Sequence, residues 1–141
     1  MATQSQLPRT GQSTVSDGAT QERDPRAALV VREVVHADIP DDAQKKIMEI
    51  ALVAFEKYVL WPTRSTWRKE EGSRKELEAE VERTNLRDIA CSIKKEVDLQ
   101  LGSTWHVIYG RSYATFVTHE RMCFFHFTMD GADVVVWKHG G

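Results

Sequence analysis

The sequence predicts an α+β domain in which two helices pack on an antiparallel sheet. Three observations predict it. Apolar residues recur at helical spacing in two segments, residues 39–58 and 86–101. Four short stretches between residues 105 and 137 are rich in aromatic and β-branched residues, which is typical of strands. The last two stretches are joined by Asp130-Gly131, a pair that favours a tight hairpin between antiparallel strands.

The size and charge of the chain argue against several classes of protein. With 141 residues, it holds at most one domain plus appendages. A net charge of −2 and a pI near 6.2 give no electrostatic basis for binding nucleic acid or an anionic membrane. The two cysteines lie far apart and favour reduced thiols over a disulfide framework. The sequence has no long apolar run and no secretory signal, so a cytoplasmic protein is expected.

The N-terminal part is predicted to be a tail followed by a strand and a helix. Residues 1–26 contain few apolar side chains and cannot offset the entropy of ordering, so they are predicted to be disordered. Residues 28–35 are a strand candidate. The first helix should follow, with Asp38 as its cap and Pro40 in its first turn, and should continue to about Tyr58.

Residues 59–84 separate the two helices and are rich in charged side chains. Trp61-Pro62 is expected to interrupt the first helix. Ser73 and Glu76 have the spacing of a capping box, which predicts a helix start at that point. Two interpretations of the segment remain. It is either a solvated helical excursion or an element that docks a partner through Trp61 and Trp67.

The second helix is predicted over residues 86–101 and should end at Gly102. Its start has two interpretations. Asn85 caps a new helix after a break, which we favour, or the charged segment from Ser73 runs on without interruption. Cys91 lies among alanine and isoleucine and is expected to be a small buried side chain.

The second predicted strand is the functional element. The four predicted strands are residues 105–109, 113–118, 122–128 and 132–137. Because Gly110-Arg111-Ser112 lacks a two-residue hairpin turn, residues 113–119 need not fold back and can pair with another chain. In the third strand, residues 124, 126 and 128 share one face and residues 125, 127 and 129 share the other. Neither face is fully polar, so helices are expected on one face and a second sheet or subunit on the other.

Residues 30–140 resemble the smallest dynein light chains, a class of dimeric adaptors. The motifs that carry this resemblance are Phe55-Glu56-Lys57-Tyr58, Ile93-Lys94-Lys95-Glu96-Val97-Asp98, Thr104-Trp105-His106, Gly110-Arg111, Val117-Thr118-His119-Glu120 and Trp137-Lys138-His139-Gly140. The resemblance implies the dynein light chain fold, in which residues 113–118 cross over to the sheet of the other protomer. It also implies one domain over residues 27–141, with residues 59–84 inserted between its helices.

The resemblance implies a non-catalytic subunit of a dynein motor that binds intermediate chains or other proteins with short extended motifs. A partner segment would add as a strand along residues 113–119 of a homodimer, or of a heterodimer with a related light chain. The implied groove residues are His36, Arg87, Tyr113, Ala114, Thr115, Phe116, Val117, Thr118, His119, Phe124, His126, Thr128 and Val135. The implied dimer interface comprises His106, Tyr109, Arg111, Tyr113, Thr115 and Val117. The expected location is the cytoplasm and cytoskeleton, with the axoneme of a cilium or flagellum as an alternative.

The chain departs from the family pattern where selectivity is set. The family's acidic residue beside the groove falls at Leu86, and its glycine in the crossover strand falls at Ala114. Two groove tyrosines fall at His126 and Thr128, and a small apolar groove position falls at Asp133. The family's preference for Thr-Gln-Thr segments is therefore not expected to transfer. A dedicated partner, such as an intermediate chain of an axonemal dynein, is favoured over a general hub that acts independently of dynein.

Other functions have weaker support in the sequence. There is no Gly-x-Ser-x-Gly, phosphate loop or His-Glu-x-x-His motif, and the histidine and cysteine spacings match no zinc site, so neither an enzyme nor a metal or other cofactor is expected. A purely structural staple between two motor chains would use the same groove. Thr3-Gln4 or Thr20-Gln21 in the tail could occupy that groove. His106 is expected to be uncharged in the dimer interface, with an ordinary strand histidine as the alternative.

Overall fold

A computed structural model of the chain describes residues 23–111 and 118–139. Four strands form one antiparallel sheet in the order β1-β3-β4-β2. Their bounds are β1 Arg32–Asp38, β2 Trp105–Gly110, β3 Phe124–Met129 and β4 Ala132–Lys138. The strand predicted over residues 113–118 lies almost wholly outside the described residues.

Three helices accompany the sheet, one more than the two predicted. They are α1 Asp41–Phe55, which continues as a π-helical turn over Glu56–Leu60, α2 Glu71–Thr84 and α3 Leu86–Leu101. The α+β fold class is confirmed, and the additional helix occupies the charged segment between the two predicted ones. Within the described residues, no helix is long and apolar enough to cross a membrane.

The core lies between the sheet and one face each of α1 and α3. Ile89, Ile93 and Val97 are fully buried at helical spacing, as predicted for α3. On the sheet, Phe125 and Phe127 are fully buried on the side of the helices. Burial of each such side chain contributes about 1.5–3 kcal/mol relative to its exposure. Cys91 is exposed, contrary to prediction, because it lies two residues from Ile89 and Ile93 and thus on the opposite side of the helix.

The polypeptide preceding β1 differs from its prediction. Residues 28–35 were expected to form a strand, but Pro25–Leu29 is a short 3₁₀ helix and β1 covers Arg32–Asp38. Asp24 starts the 3₁₀ helix because its carboxylate accepts a hydrogen bond from the Arg26 N–H at 2.9 Å. Residues 23–26, which the predicted tail included, therefore have defined contacts, whereas the rest of that tail lies outside the described residues.

Arg26 connects this N-terminal segment to the polypeptide between α1 and α3. Its side chain is 4% exposed and donates to Asp24, Glu78, the two threonine hydroxyls of Thr63 and Thr66, and the Leu60 carbonyl. Burial acts to lower the pKa of Arg26, but the carboxylates of Asp24 and Glu78 outweigh it and raise that pKa above its ordinary value. This buried cation therefore holds residues 59–84 against the domain.

Two of the predicted helix caps are wrong. Pro40, and not Asp38, precedes the first residue of α1, and the Asp38 carboxylate instead accepts from the Met122 N–H at 3.1 Å. Helix α2 begins at Glu71, so Ser73 lies inside its first turn and does not cap it. These positions have the residue types of caps, but residue type alone did not predict the first residue of either helix.

The predicted break before α3 is confirmed at Asn85, whose φ of −112° and ψ of 15° are not helical. The Asn85 side chain makes no capping hydrogen bond to α3, contrary to prediction. Its amide donates instead to the Tyr58 carbonyl at 2.8 Å, which connects the break to the end of the first helix.

Trp61 is half-buried and Trp67 is 38% exposed, so only Trp67 retains much exposed surface for the interpretation in which residues 59–84 dock a partner.

The predicted hairpin between β3 and β4 is also confirmed. Asp130 has a φ of 54° and Gly131 a φ of 87°, as a type I′ turn requires. A Cβ atom at Gly131 would lie 2.8 Å from Nη1 of Arg111, so both the backbone conformation and the close approach favour glycine. The hairpin fixes the register of β3 against β4 and thereby the arrangement of side chains on both faces of the sheet.

Candidate partner-binding face

The sheet has a second face, turned away from the helices, which we call the outer face. Because residues directly opposite in neighbouring strands share a face, its side chains form three rows that cross the sheet from β1 to β2. The first row is Asp38, Phe124, Trp137 and His106. The second row is His36, His126, Val135 and Ile108. The third row is Glu33, Thr128, Asp133 and Gly110.

Five of the predicted groove residues are brought together on the outer face. They are His36, Phe124, His126, Thr128 and Val135. The His36 and Phe124 ring centroids are 5.5 Å apart, and His119, from the loop before β3, lies 4.8 Å from Phe124 on the same measure. Together these rings form an aromatic surface at the end of the sheet where β3 begins.

Two other predicted groove residues, Arg87 and Thr118, do not join this cluster. Arg87 is exposed in the first turn of α3, and Thr118 is exposed where the described chain resumes. Tyr113, Ala114, Thr115, Phe116 and Val117 lie outside the described residues.

Two positions that depart from the family pattern are bonded to each other. Nε2 of His126 lies 2.8 Å from Oδ1 of Asp133, and the two side chains are 23% and 26% exposed. His126 is opposite Val135 and Asp133 is opposite Thr128, so the two residues are diagonal neighbours on the outer face. The sequence analysis missed this pair. The signal was present, because the Asp130-Gly131 turn fixes the register that makes residues 126 and 133 neighbours.

The predicted interface residues divide between the two faces of the sheet. His106 lies on the outer face, with its ring centroid 5.4 Å from that of Trp137 and its Nε2 3.4 Å from the His139 carbonyl oxygen. Tyr109 lies on the helix side and is 7% exposed. Its hydroxyl donates to Glu82 of α2. The structure thus places Tyr109 in the core of its own protomer.

Arg111 completes a cluster with Glu82 and Tyr109 at the end of β2. Its Nη2 donates to Oε1 of Glu82 at 2.8 Å and to the Asp130 carbonyl at 3.2 Å. Burial, and then the Glu82 carboxylate, raise the pKa of Tyr109 well above its ordinary value, so the phenol stays protonated and donates. Helix α2 is therefore bonded directly to the end of β2 and, through Arg111, to the β3–β4 hairpin.

A polar cleft of about 390 Å³ lies beside this cluster, between α2 and the hairpin, on the helix side of the sheet. Lys75, Arg83 and Arg111 line it together with Glu78 and Glu82.

Among the residues that the structure describes, no three histidine, cysteine or acidic side chains lie close enough together to hold a metal ion.

Comparison with known proteins decides the family. The sequence model of the family described as "Dynein light chain type 1" matches residues 32–139. The chain belongs to the dynein light chain family. This membership places it in a non-catalytic structural and adaptor family and agrees with the α+β fold described above.

Relatives extend over most of the chain. A "Dynein light chain 1, cytoplasmic" of Debaryomyces hansenii is 30% identical over 104 residues, which are 74% of this chain and 87% of that protein. A protein of the same description from Candida glabrata is 48% identical over 61 residues, or 43% of this chain and 71% of that protein. The dynein light chain-like domain of a Fasciola hepatica calcium-binding protein has a similar fold, with a TM-score of 0.51 at 14% identity over 90% of this chain and 100% of that domain.

Proposed function

We propose that the chain is a dimeric light chain of a dynein motor that binds extended segments of an intermediate chain by strand addition. It would act in the cytoplasm, which the names of its relatives give for those proteins, and there on the cytoskeleton. Residues 113–118 of each protomer would cross to the sheet of the other, and the partner segment would pair along their free edge. Phe124, His126 and Thr128 would then form the floor of the groove.

The outer face is the observation that carries this proposal. On β3, one of the two central strands, the outer face is half-buried rather than solvated. Its side chains Phe124, His126 and Thr128 are all of intermediate exposure. Apolar and aromatic side chains at such positions favour a face that another layer of polypeptide covers. The helices already cover the opposite face, so the second layer would come from another chain.

The described residues on either side of positions 112–117 lie near opposite ends of the sheet. Arg111 follows the end of β2 that lies opposite Asp133, whereas the Glu120 N–H donates to the Lys138 carbonyl at 2.7 Å, at the other end of the sheet. Among the described residues, β2 pairs with β4 alone. In the proposed dimer, a strand from the partner protomer would pair along the second edge of β2.

A binding experiment tests the proposal. We would measure the mass of the full chain by sedimentation and its affinity for peptides tiled along dynein intermediate chains by calorimetry. We expect a dimer and one or a few tiles with Kd values on the order of micromolar. Thr128→Arg should abolish binding because it fills the groove floor, whereas Leu99→Arg, on an exposed position of α3, should bind as the wild type does.

A monomer, or a dimer that binds none of the tiles, would overturn the proposal. Equal binding of peptides from unrelated proteins would indicate a general hub instead of a dedicated motor subunit. Unchanged binding by the Thr128→Arg variant would show that Thr128 does not line the site. Circular dichroism of each variant would verify that its fold is retained.

A further inference from the structure

The third row of the outer face carries an unusual charge arrangement for a groove floor. It contains two carboxylates, Glu33 and Asp133, and one hydroxyl, Thr128, without a cationic side chain. Two basic residues next to this row in the sequence of β1 and β2, Arg32 and Arg111, are engaged with other groups. Arg32 donates to the Met48 carbonyl at 3.2 Å, and Arg111 is bonded to Glu82.

Asp133 is held in place but remains accessible. Its Oδ1 is 2.8 Å from Nε2 of His126, which fixes the orientation of the carboxylate. Gly110 lies directly opposite on β2 and has no side chain to cover it. The Asp133 side chain is 26% exposed, so part of its carboxylate is hydrated in the uncovered face.

A polypeptide laid over this row would remove that water. An apolar side chain above Asp133 would leave a carboxylate oxygen without a hydrogen bond, which is more costly for a charged group than for a neutral one. A lysine or arginine side chain would replace the water with charge-assisted hydrogen bonds. Discrimination of this kind, which depends on leaving a buried polar group unpaired, is stronger than discrimination by apolar shape alone.

We propose that the third row selects partner segments in which a lysine or arginine faces the groove at the hairpin end. Asp133 is the group that binds this side chain, and His126 is a positioning residue that orients Asp133. Glu33, exposed across Thr128, adds negative potential to the same end. This inference rests on the proposed function, because it requires that an extended partner covers the outer face.

A displayed library of short random peptides tests the inference with the full-length chain. Wild type should enrich lysine or arginine at one fixed peptide position, and a selected peptide should bind about tenfold more tightly than its leucine analogue, equivalent to about 1.4 kcal/mol. Asp133→Asn retains a hydrogen-bond acceptor for His126 and should lose this preference. Asp133→Lys should shift the preference to aspartate or glutamate. Asp42→Ala, which removes an exposed carboxylate from α1, is the matched control and should select as the wild type does.

The outcomes separate the two proposals. If Asp133→Asn still enriches the same basic residue, the inference about the third row is wrong while peptide binding in the groove stands. If the wild type enriches peptides without a basic residue at any fixed position, the inference is likewise overturned. If the folded wild type retains no peptide at all, the proposed function fails and the inference fails with it.

Discussion

At the scale of single residues, a buried ion pair fixes the start of the domain. The side chains of Asp24 and Arg26 are 5% and 4% exposed and lie 2.8 Å apart. Burial acts to raise the pKa of Asp24, but hydrogen bonds and the charge of Arg26 outweigh it and hold that pKa below its ordinary value. Such a carboxylate contributes stability above its unfolded-state pKa, and that contribution is lost as the pH falls through the native value.

Asp24→Ala should therefore destabilise the chain by about 3 kcal/mol at neutral pH, because it leaves a buried guanidinium without one of its two carboxylates. The difference from wild type should begin to shrink below about pH 4, where Asp24 of the unfolded chain becomes protonated, and should continue to shrink as the pH falls through the lower native pKa. Urea unfolding followed by circular dichroism at several pH values measures both effects. Asp42→Ala should cost less than about 1 kcal/mol. A pH-independent difference would contradict the assigned role of the Asp24 charge.

At the scale of elements, α2 is the helix between the two that were predicted to pack on the sheet. Its Glu82 is 3% exposed and joins three parts of the chain, since Tyr109 belongs to β2 and Arg111 also bonds to the β3–β4 hairpin. The helix is otherwise highly charged and buries few side chains. Its attachment to the domain therefore depends on Glu82 and, one turn earlier in the helix, on the Arg26–Glu78 pair.

Glu82→Ala should destabilise the chain by about 2 kcal/mol, since it leaves the buried Tyr109 hydroxyl unpaired and releases Arg111. Glu80→Ala, at an exposed position of the same helix, should change stability by less than about 0.5 kcal/mol. Hydrogen exchange should show faster opening of α2 in the first variant only. Equal stability of the two variants would mean that the Glu82 cluster does not attach α2.

At the scale of the whole molecule, the proposed dimer brings the outer-face histidine His106 to an interface. A permanent charge there would be desolvated on association, so a cation introduced at this position should weaken the dimer. His106 is half-buried beside Trp137, and its Nε2 faces the His139 carbonyl oxygen.

We expect wild type to sediment as a dimer at neutral pH. His106→Lys, which places a permanent cation at this position, should sediment as a monomer. His139→Lys, at an exposed position next to the same strand end, should behave as the wild type does. A His106→Lys protein that remains a dimer would place His106 outside the interface.

Local features of the fold were predictable from adjacent residues. The Asp130-Gly131 turn, the break at Asn85 and the alternating faces of β3 follow from backbone preferences and side-chain periods that a few neighbouring residues set. The shared face of Phe124, His126 and Thr128 also followed from alternation, whereas His36 and Val135 were expected beside them only from the resemblance to the family.

Only the folded chain decided which charged residues meet. Arg26 and Glu78 are 52 positions apart and Glu82 and Arg111 are 29 apart, so no local pattern pairs them. The same holds for the 3₁₀ helix at Pro25–Leu29, which contains Arg26 and whose position depends on the buried partners of that side chain. Periodicity assigns a side chain to a face, but the partner of a buried charge depends on the three-dimensional packing of distant segments.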